Sequence, residues 1–174
     1  MDTVLAALRS NSPRAVVVRF AVLFVGLLGL AAYLDRRFDA FGWLMAIITV
    51  ISARLLTAVG VPVQSSSAAT RMIVLQHHSL SIAFECTAVT LMLIYASLVI
   101  AYPFSWPTKM RGLLIGLLVI QVMNLARIVG AGVVSQYWPQ LFDPVHDFLF
   151  QGGMVLVVIA LWVIWLADVR RRAG

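Results

Sequence analysis

The chain's single cysteine is a candidate nucleophile, because it lies beside a charged residue at the edge of a long apolar run. Residues 84–89 read FECTAV, with Glu85 directly before Cys86. A thiol in the first turn of a helix feels the positive end of the helix dipole, which favours the reactive thiolate. Glu85 opposes that charge unless a cation lies nearby. Cys86 is therefore either a nucleophile with a cationic partner or a small apolar filler.

Arg127, within a later apolar segment, is the candidate partner. An unpaired arginine inside a membrane-spanning helix is costly, so it usually faces a bundle interior or a wet cavity. Gln121 and Asn124 precede it at intervals of three residues, which places all three on one helical face. This polar stripe indicates the lining of a site. The alternative is that Arg127 extends its long side chain to the membrane surface.

His146 is a candidate proton carrier at the start of the last apolar segment. Asp143 and Pro144 precede it and are typical of a helix start. The neighbouring Asp147 favours the imidazolium, whereas the helix dipole opposes it. Histidine in such a balance is suited to general acid and base catalysis. Alternatively, His146 is only a polar group at the membrane interface.

Three further residues have weaker claims to a functional role. Arg54, late in the second apolar segment, is interpreted either as a buried cation that holds Glu85 or binds a carboxylate, or as a side chain that reaches the surface. The adjacent His77 and His78 would suit a metal, but no recognisable ligand spacing accompanies them. A haem or ion carrier that uses them with His146 is disfavoured, because haem needs histidines that face each other across the bundle and these are expected near one surface. We therefore expect neither a metal nor a cofactor.

The composition predicts an integral membrane protein. Of 174 residues, 62% are hydrophobic and 11% charged, and the mean hydropathy is +0.98. A spanning helix needs about 20 mostly apolar residues. We predict an all-α, polytopic membrane helical bundle of about five transmembrane helices in a single domain, residues 1–174. The predicted spans are residues 16–33, 41–59, 87–102, 112–134 and 147–167.

The net charge of +6 indicates membrane orientation rather than nucleic-acid binding, because the arginines flank the apolar segments. Cytoplasmic loops carry an excess of Lys and Arg. Five antiparallel spans would put seven cations inside and four outside, with the N-terminus outside. The inside set would be Arg36, Arg37, Lys109, Arg111, Arg170, Arg171 and Arg172, and the outside set Arg9, Arg14, Arg19 and Arg71.

The candidate residues are expected at one face of the membrane. Cys86 opens the third predicted span, Arg127 lies in the second half of the fourth, and His146 opens the fifth. Because antiparallel helices with short connections alternate in direction, these positions share one level. Residues 61–85 form the one sizeable connection, and their alternating apolar pattern predicts a short hairpin or extended flap before Cys86.

The motifs FECTAV, NLARIV and VHDFLFQ, in this order, resemble those of the exosortase/archaeosortase family of membrane transpeptidases. The resemblance covers roughly residues 60–168 and is closest to the short exosortases of the H type. It implies that Cys86 matches the family nucleophile, Arg127 the arginine of its motif, and His146 the histidine of the last helix. Many members have a glycine shortly after the cysteine, whereas this chain has Thr87 and Ala88.

The resemblance implies an enzyme in the cell membrane whose active site faces the extracytoplasmic side. It would cleave exported proteins that end in a short motif, a transmembrane helix and a basic tail, through a thioester on Cys86. The product would pass to a lipid or amine acceptor, and membrane lipid and the exported substrates would be its partners. The alternative is a non-enzymatic assembly or accessory subunit whose polar residues only hold helices together.

Overall fold

Five helices of more than ten residues form the body of the protein, in a computed structural model that describes residues 12–76, 78–145 and 150–173. They are α1 Pro13–Phe38, α2 Gly42–Ala58, α3 Val89–Ala101, α4 Trp106–Tyr137 and α5 Gly152–Ala173. By length and apolar composition, α1, α4 and α5 are able to cross a membrane, whereas α2 and α3 are shorter, at 17 and 13 residues. The protein is an all-α polytopic membrane protein, as its hydropathy predicts.

A small antiparallel sheet occupies the segment between α2 and α3. Its strands are β1 Val63–Ser67, β2 Met72–Leu75 and β3 Ser79–Ser81, in the spatial order β1-β2-β3. Ile73 and Leu75 of β2 are buried while Met72 and Val74 are partly exposed, which is the period of a strand with one face on a core. The predicted hairpin or flap is therefore a three-stranded meander.

One end of the bundle brings together the start of α1, the turn between α3 and α4, and the end of α5. Arg19 donates to the carbonyl of Ala101 at 3.5 Å, and Lys109 Nζ donates to a carbonyl in the last turn of α3 at 2.8 Å. Arg170 donates to the Tyr102 hydroxyl at 2.9 Å. We call this level the basic end. Its cations among the described residues are Arg14, Arg19, Lys109, Arg111, Arg170, Arg171 and Arg172.

Two glycines one turn apart in α4 allow α3 and α5 to approach it closely. A Cβ atom at Gly116 would collide with the Tyr95 ring, and one at Gly112 with the Trp165 indole. Tyr95 is buried and donates its hydroxyl to the Gly112 carbonyl at 3.1 Å. Small residues at this spacing permit close helix packing in membranes. The contact fixes the register of α3 on α4, and with it the height at which α3 begins.

The sheet and α2 pack on the second half of α4, beyond the level where α3 begins. Leu56 of α2 lies against Gly132, and the Tyr137 hydroxyl donates to the Gly60 carbonyl at 3.2 Å. At 1.5 Å per residue the 32-residue α4 is about 48 Å long, whereas a hydrocarbon core is about 30 Å thick. The four-helix part at the basic end and the part built from α2 and the sheet are therefore stacked along α4.

The course of α1 differs from the predicted arrangement of antiparallel neighbours. That arrangement puts Arg36 and Arg37 on the same side as Lys109, but Arg36 lies about 26 Å along the continuous α1 from Arg19. The reason is that α1 packs on α3, whereas α2 packs on the sheet and α4, so that α1 and α2 form no helical hairpin. This part of the predicted orientation is wrong. The described arginines before residue 20 instead join the basic end.

Candidate active site

Cys86 lies in a separate turn that precedes α3. Residues Phe84–Thr87 form a 3-10 helix, in which the Cys86 amide donates to the Ala83 carbonyl at 3.0 Å. The Thr87 hydroxyl donates to the Phe84 carbonyl at 2.6 Å and accepts from the Val89 amide at 3.3 Å. The expectation that Cys86 belongs to the first turn of a long helix is therefore wrong. Thr87 links the cysteine turn to α3.

Ala88 separates this turn from α3 and has a left-handed backbone, with φ 58° and ψ 13°. This conformation brings Cβ close to a carbonyl oxygen, so it is usual for glycine and costly for other residues. The position is one of the two at which many family members are expected to have glycine. Ala88 is also buried, at 4% exposure, so its methyl group contributes packing while its backbone is strained.

Asn124 joins α4 to the cysteine turn. Its Nδ2 donates to the Cys86 carbonyl at 2.7 Å, and the side chain is only 1% exposed. A buried carbonyl without a partner costs free energy, so this hydrogen bond favours one position of the turn. The polar stripe of α4 thus reaches the backbone of the cysteine itself.

Cys86 and Arg127 line one cleft, which has a volume of about 190 Å³. Its remaining walls are strand β3 with Ile82, the residues Ile128 and Ala131 of α4, and Phe142 from the single helical turn Phe142–Pro144. Both Cys86 and Arg127 are half-buried. A thiol and a guanidinium that open into the same cleft are able to act on the same bound group.

Arg127 has no ion pair with a carboxylate among the described residues. Within the described residues, no acidic side chain neutralises this charge, so it is available to a ligand or to the thiolate. Gln121, two turns earlier, has buried amide atoms that find no hydrogen-bond partner in the described part of the chain. Of the three residues in the predicted polar stripe, Arg127 therefore lines the cleft and Asn124 supports the cysteine turn. Gln121 forms no hydrogen bond with the cysteine turn or with Arg127 in the described part of the chain.

Glu85 and Arg54 do not form the predicted pair. Both residues are exposed, and no salt bridge joins them within the residues described. The interpretation of Arg54 as a buried cation is wrong, because α2 packs its opposite side against the sheet and leaves this position outside. Glu85 lies in the same turn as Cys86, and its side chain is exposed.

Three predicted residues, His146, Asp147 and His77, lie outside the described residues. Phe142, which lines the cleft, precedes His146 by four residues in the sequence. Over the described ranges, no three His, Cys, Asp or Glu side chains are grouped to hold a metal ion. His78 is described and belongs to no such group.

Sequence reasoning did not identify the walls of the cleft other than Cys86 and Arg127. The alternation of LSIAFE indicates an extended segment, but the pattern does not show which strand is at the sheet edge or what it faces. Phe142 follows a tryptophan-containing loop and carries no chemical signal of its own. These positions depend on tertiary packing.

The sequence pattern of one protein family, described as transmembrane exosortase, matches residues 3–166. No curated protein and no solved structure matches the chain. The match covers nearly all of the sequence, including the segments that form the cleft with Cys86 and Arg127. This chain therefore belongs to the transmembrane exosortase family.

Proposed function

We propose that the protein is a cysteine transpeptidase that removes C-terminal sorting signals from exported proteins. The observation that carries this proposal is that Cys86 and Arg127, the sole thiol of the sequence and a cation without an acidic partner in the described chain, line the same cleft. Family membership supports a role as a membrane transpeptidase. The residue roles are our own inference from the cleft.

The chemistry begins with attack of the Cys86 thiolate on the carbonyl carbon of the scissile peptide bond. A carbon–sulfur bond forms and the carbonyl electrons move to oxygen, where the Arg127 guanidinium stabilises the negative charge. Collapse of this intermediate breaks the carbon–nitrogen bond and leaves a thioester on Cys86. The leaving amine takes up a proton, for which we propose His146 as the donor.

An acceptor nucleophile then attacks the thioester and releases the thiolate. His146 takes the proton from the acceptor, which reverses its first role. We propose a lipid or an amine as acceptor, in keeping with a cleft at the level of the membrane surface. Asn124 acts through the backbone of Cys86 and is a positioning residue, and Asp147 is proposed to orient His146.

The cleft is proposed to face the extracytoplasmic side. Cations favour the cytoplasmic side of membrane proteins, and seven described cations are gathered at the basic end. Arg127 is about 27 Å along α4 from Lys109, close to the thickness of about 30 Å of a hydrocarbon core. With the basic end in the cytoplasm, the cleft lies near the outer boundary of the membrane.

This depth suits the proposed substrate. A protein anchored by a transmembrane helix with a basic cytoplasmic tail presents the residues before its helix at the outer membrane boundary. In the proposed orientation, Cys86 lies at that level. The proposal therefore explains how a nucleophile at the rim of a bundle reaches a peptide bond beside a membrane anchor.

The first test is the substitution Cys86→Ala in cells that lack the native gene. We expect processing to be lost while the variant accumulates in the membrane at the wild-type level. The measurement is mass spectrometry of exported proteins, which counts those that retain an apolar C-terminal helix and a basic tail. Full processing by Cys86→Ala would reject the enzyme and favour the accessory subunit, whose polar residues serve only the fold.

A further inference from the structure

Strand β3 is at an edge of the sheet and forms one wall of the cleft. Among the described residues, the spatial order β1-β2-β3 leaves one side of β3 without a neighbouring strand. Ser79, Leu80 and Ser81 all line the cleft together with Cys86 and Arg127. An edge strand presents unpaired backbone groups to any extended chain that lies beside it.

The pairing of β3 with β2 shows which backbone groups point outward. The Leu75 amide donates to the His78 carbonyl at 2.8 Å, and the Ile82 amide donates to the Arg71 carbonyl at 2.8 Å. In an antiparallel ladder, hydrogen-bonded positions alternate. Leu80, midway between His78 and Ile82, therefore also bonds inward to β2.

The intervening residues, Ser79 and Ser81, direct their amide and carbonyl groups away from β2. Their side chains are exposed, whereas Leu80 packs against the cluster of buried residues beneath the sheet. Residues two apart in a strand are about 7 Å apart, the repeat of an extended peptide. The outward side of β3 thus has the spacing of a template for one more strand.

We propose that the substrate binds as an extended strand added to the edge of β3, an inference that rests on the proposed function. Its N–H and C=O groups pair with those of Ser79 and Ser81, as in other cases where a peptide joins an exposed sheet edge. The occupant is the segment of the exported protein that precedes its membrane helix. Because Cys86 lines the same cleft, a peptide held in this way presents a backbone carbonyl to the thiol.

The proposal is tested by Ser81→Pro, which removes the outward amide of the strand. Proline is tolerated at an edge strand where the N–H faces away from the ladder, so the pairing with β2 is retained. We expect processing in cells to fall at least about fivefold, because one hydrogen bond is lost and the proline ring hinders the approach of a strand. Membrane accumulation and the labelling rate of Cys86 by a thiol reagent in detergent should be unchanged.

Two matched controls separate the backbone from other effects. Ser81→Ala removes the hydroxyl and keeps the amide, so its loss of processing should be clearly smaller than that of Ser81→Pro. Ser66→Pro makes the same change on the far edge of the sheet. Val74 and Met72 of β2 do not bond to β3, so their backbone groups bond to their partners on the other side, Ser65 and Ser67 of β1. Because hydrogen-bonded positions alternate along a strand, the Ser66 amide between them faces outward. Ser66→Pro should likewise leave processing unchanged.

Wild-type processing by Ser81→Pro would overturn the proposal, and so would an equal loss in Ser81→Ala. Ser79→Pro makes the same change at the other outward amide of β3. If Ser79→Pro and Ser81→Pro both prevented accumulation of the protein in the membrane while Ser66→Pro did not, the β3 amides would not face outward and the proposal would also fail. Cys86→Ala, measured in parallel, distinguishes this failure from failure of the enzyme itself, because it alone reports on the nucleophile.

Discussion

Two clefts at opposite levels of α4 differ in size, charge and backbone. The cleft at the basic end has a volume of about 460 Å³ and lies between α3, α4 and α5. The cleft at Cys86 has about 190 Å³. The larger one is walled by Tyr95, Gly112, Gly116 and Trp165 and bordered by the cations Arg111, Arg171 and Arg172. It contains no thiol.

The backbone around the two clefts also differs. The cleft at the basic end lies between regular helices, whereas the smaller one is bordered by a 3-10 turn and an edge strand, with the left-handed Ala88 closing that turn. Irregular backbone in a membrane protein is tolerated where it is covered by protein or lines a wet cavity. The smaller cleft, where we propose the reaction, thus has irregular backbone on its walls, whereas the larger one lies between packed helices.

The largest expected effect distinguishes the arginines of the two clefts. Arg127→Ala should lower processing by about 100-fold or more, because removal of a group that stabilises an oxyanion has effects of that size. Arg111→Ala, at the basic end, and Arg54→Ala, exposed on α2, should stay within about twofold. The measurement is the rate of processing in cells at matched membrane levels. An equal loss in Arg111→Ala would contradict the functional difference between the clefts.

The next effect concerns the packing of the basic end. Gly116→Ala should lower the free energy of unfolding by about 1–3 kcal/mol, because the new methyl group meets the buried Tyr95 ring. Gly26→Ala is the control, since nothing lies within 4 Å of a Cβ at that position. Thermal unfolding in detergent gives both values. Unchanged stability of Gly116→Ala would show that this contact does not fix the register of α3.

A third comparison concerns two amides of α4. Asn124→Leu leaves the Cys86 carbonyl without its donor and should cost about 1–3 kcal/mol. Gln121→Leu removes buried amide atoms that have no partner among the described residues, so it should be neutral or stabilising. Both are measured by thermal unfolding with a parallel processing assay. Similar losses in the two variants would mean that the bond to Cys86 has no special role.

The smallest effect is expected at Ala88. Ala88→Gly relieves the left-handed backbone but removes a buried methyl group, and each term is about 1 kcal/mol. We therefore expect a change in unfolding free energy below about 1 kcal/mol, with processing retained. Thermal unfolding and the cellular assay check it. Loss of processing on Ala88→Gly would show that the alanine side chain itself shapes the site.

The sequence predicts the helices well, because long apolar runs have few other solutions in a membrane. It also predicts that Cys86 and Arg127 share a level, since α3 and α4 form a hairpin with a short connection. It does not predict the direction of α2, because the same apolar pattern suits a helix beside α1 or one stacked beyond it. Whether Arg54 is buried or reaches the surface, the two alternatives that the sequence leaves open, depends on that choice.

Other details of the site depend on local backbone that composition does not encode. The pattern FECTAV is compatible with the first turn of a long helix, and only the left-handed Ala88 separates the cysteine turn from α3. In the same way, the apolar alternation before Cys86 indicates strands but not which of them lies at the edge. These features arise from packing of the sheet against α2 and α4.

The central claim is that Cys86 carries the substrate as a thioester. The most direct measurement is mass spectrometry of the Cys86 peptide, after the purified protein in detergent is mixed with an exported protein identified in the cellular assay and quenched in acid. We predict an acyl group on Cys86 that hydroxylamine removes and that is absent in Cys86→Ala. Cleavage of the substrate without this adduct, at an undiminished rate in Cys86→Ala, would contradict the account.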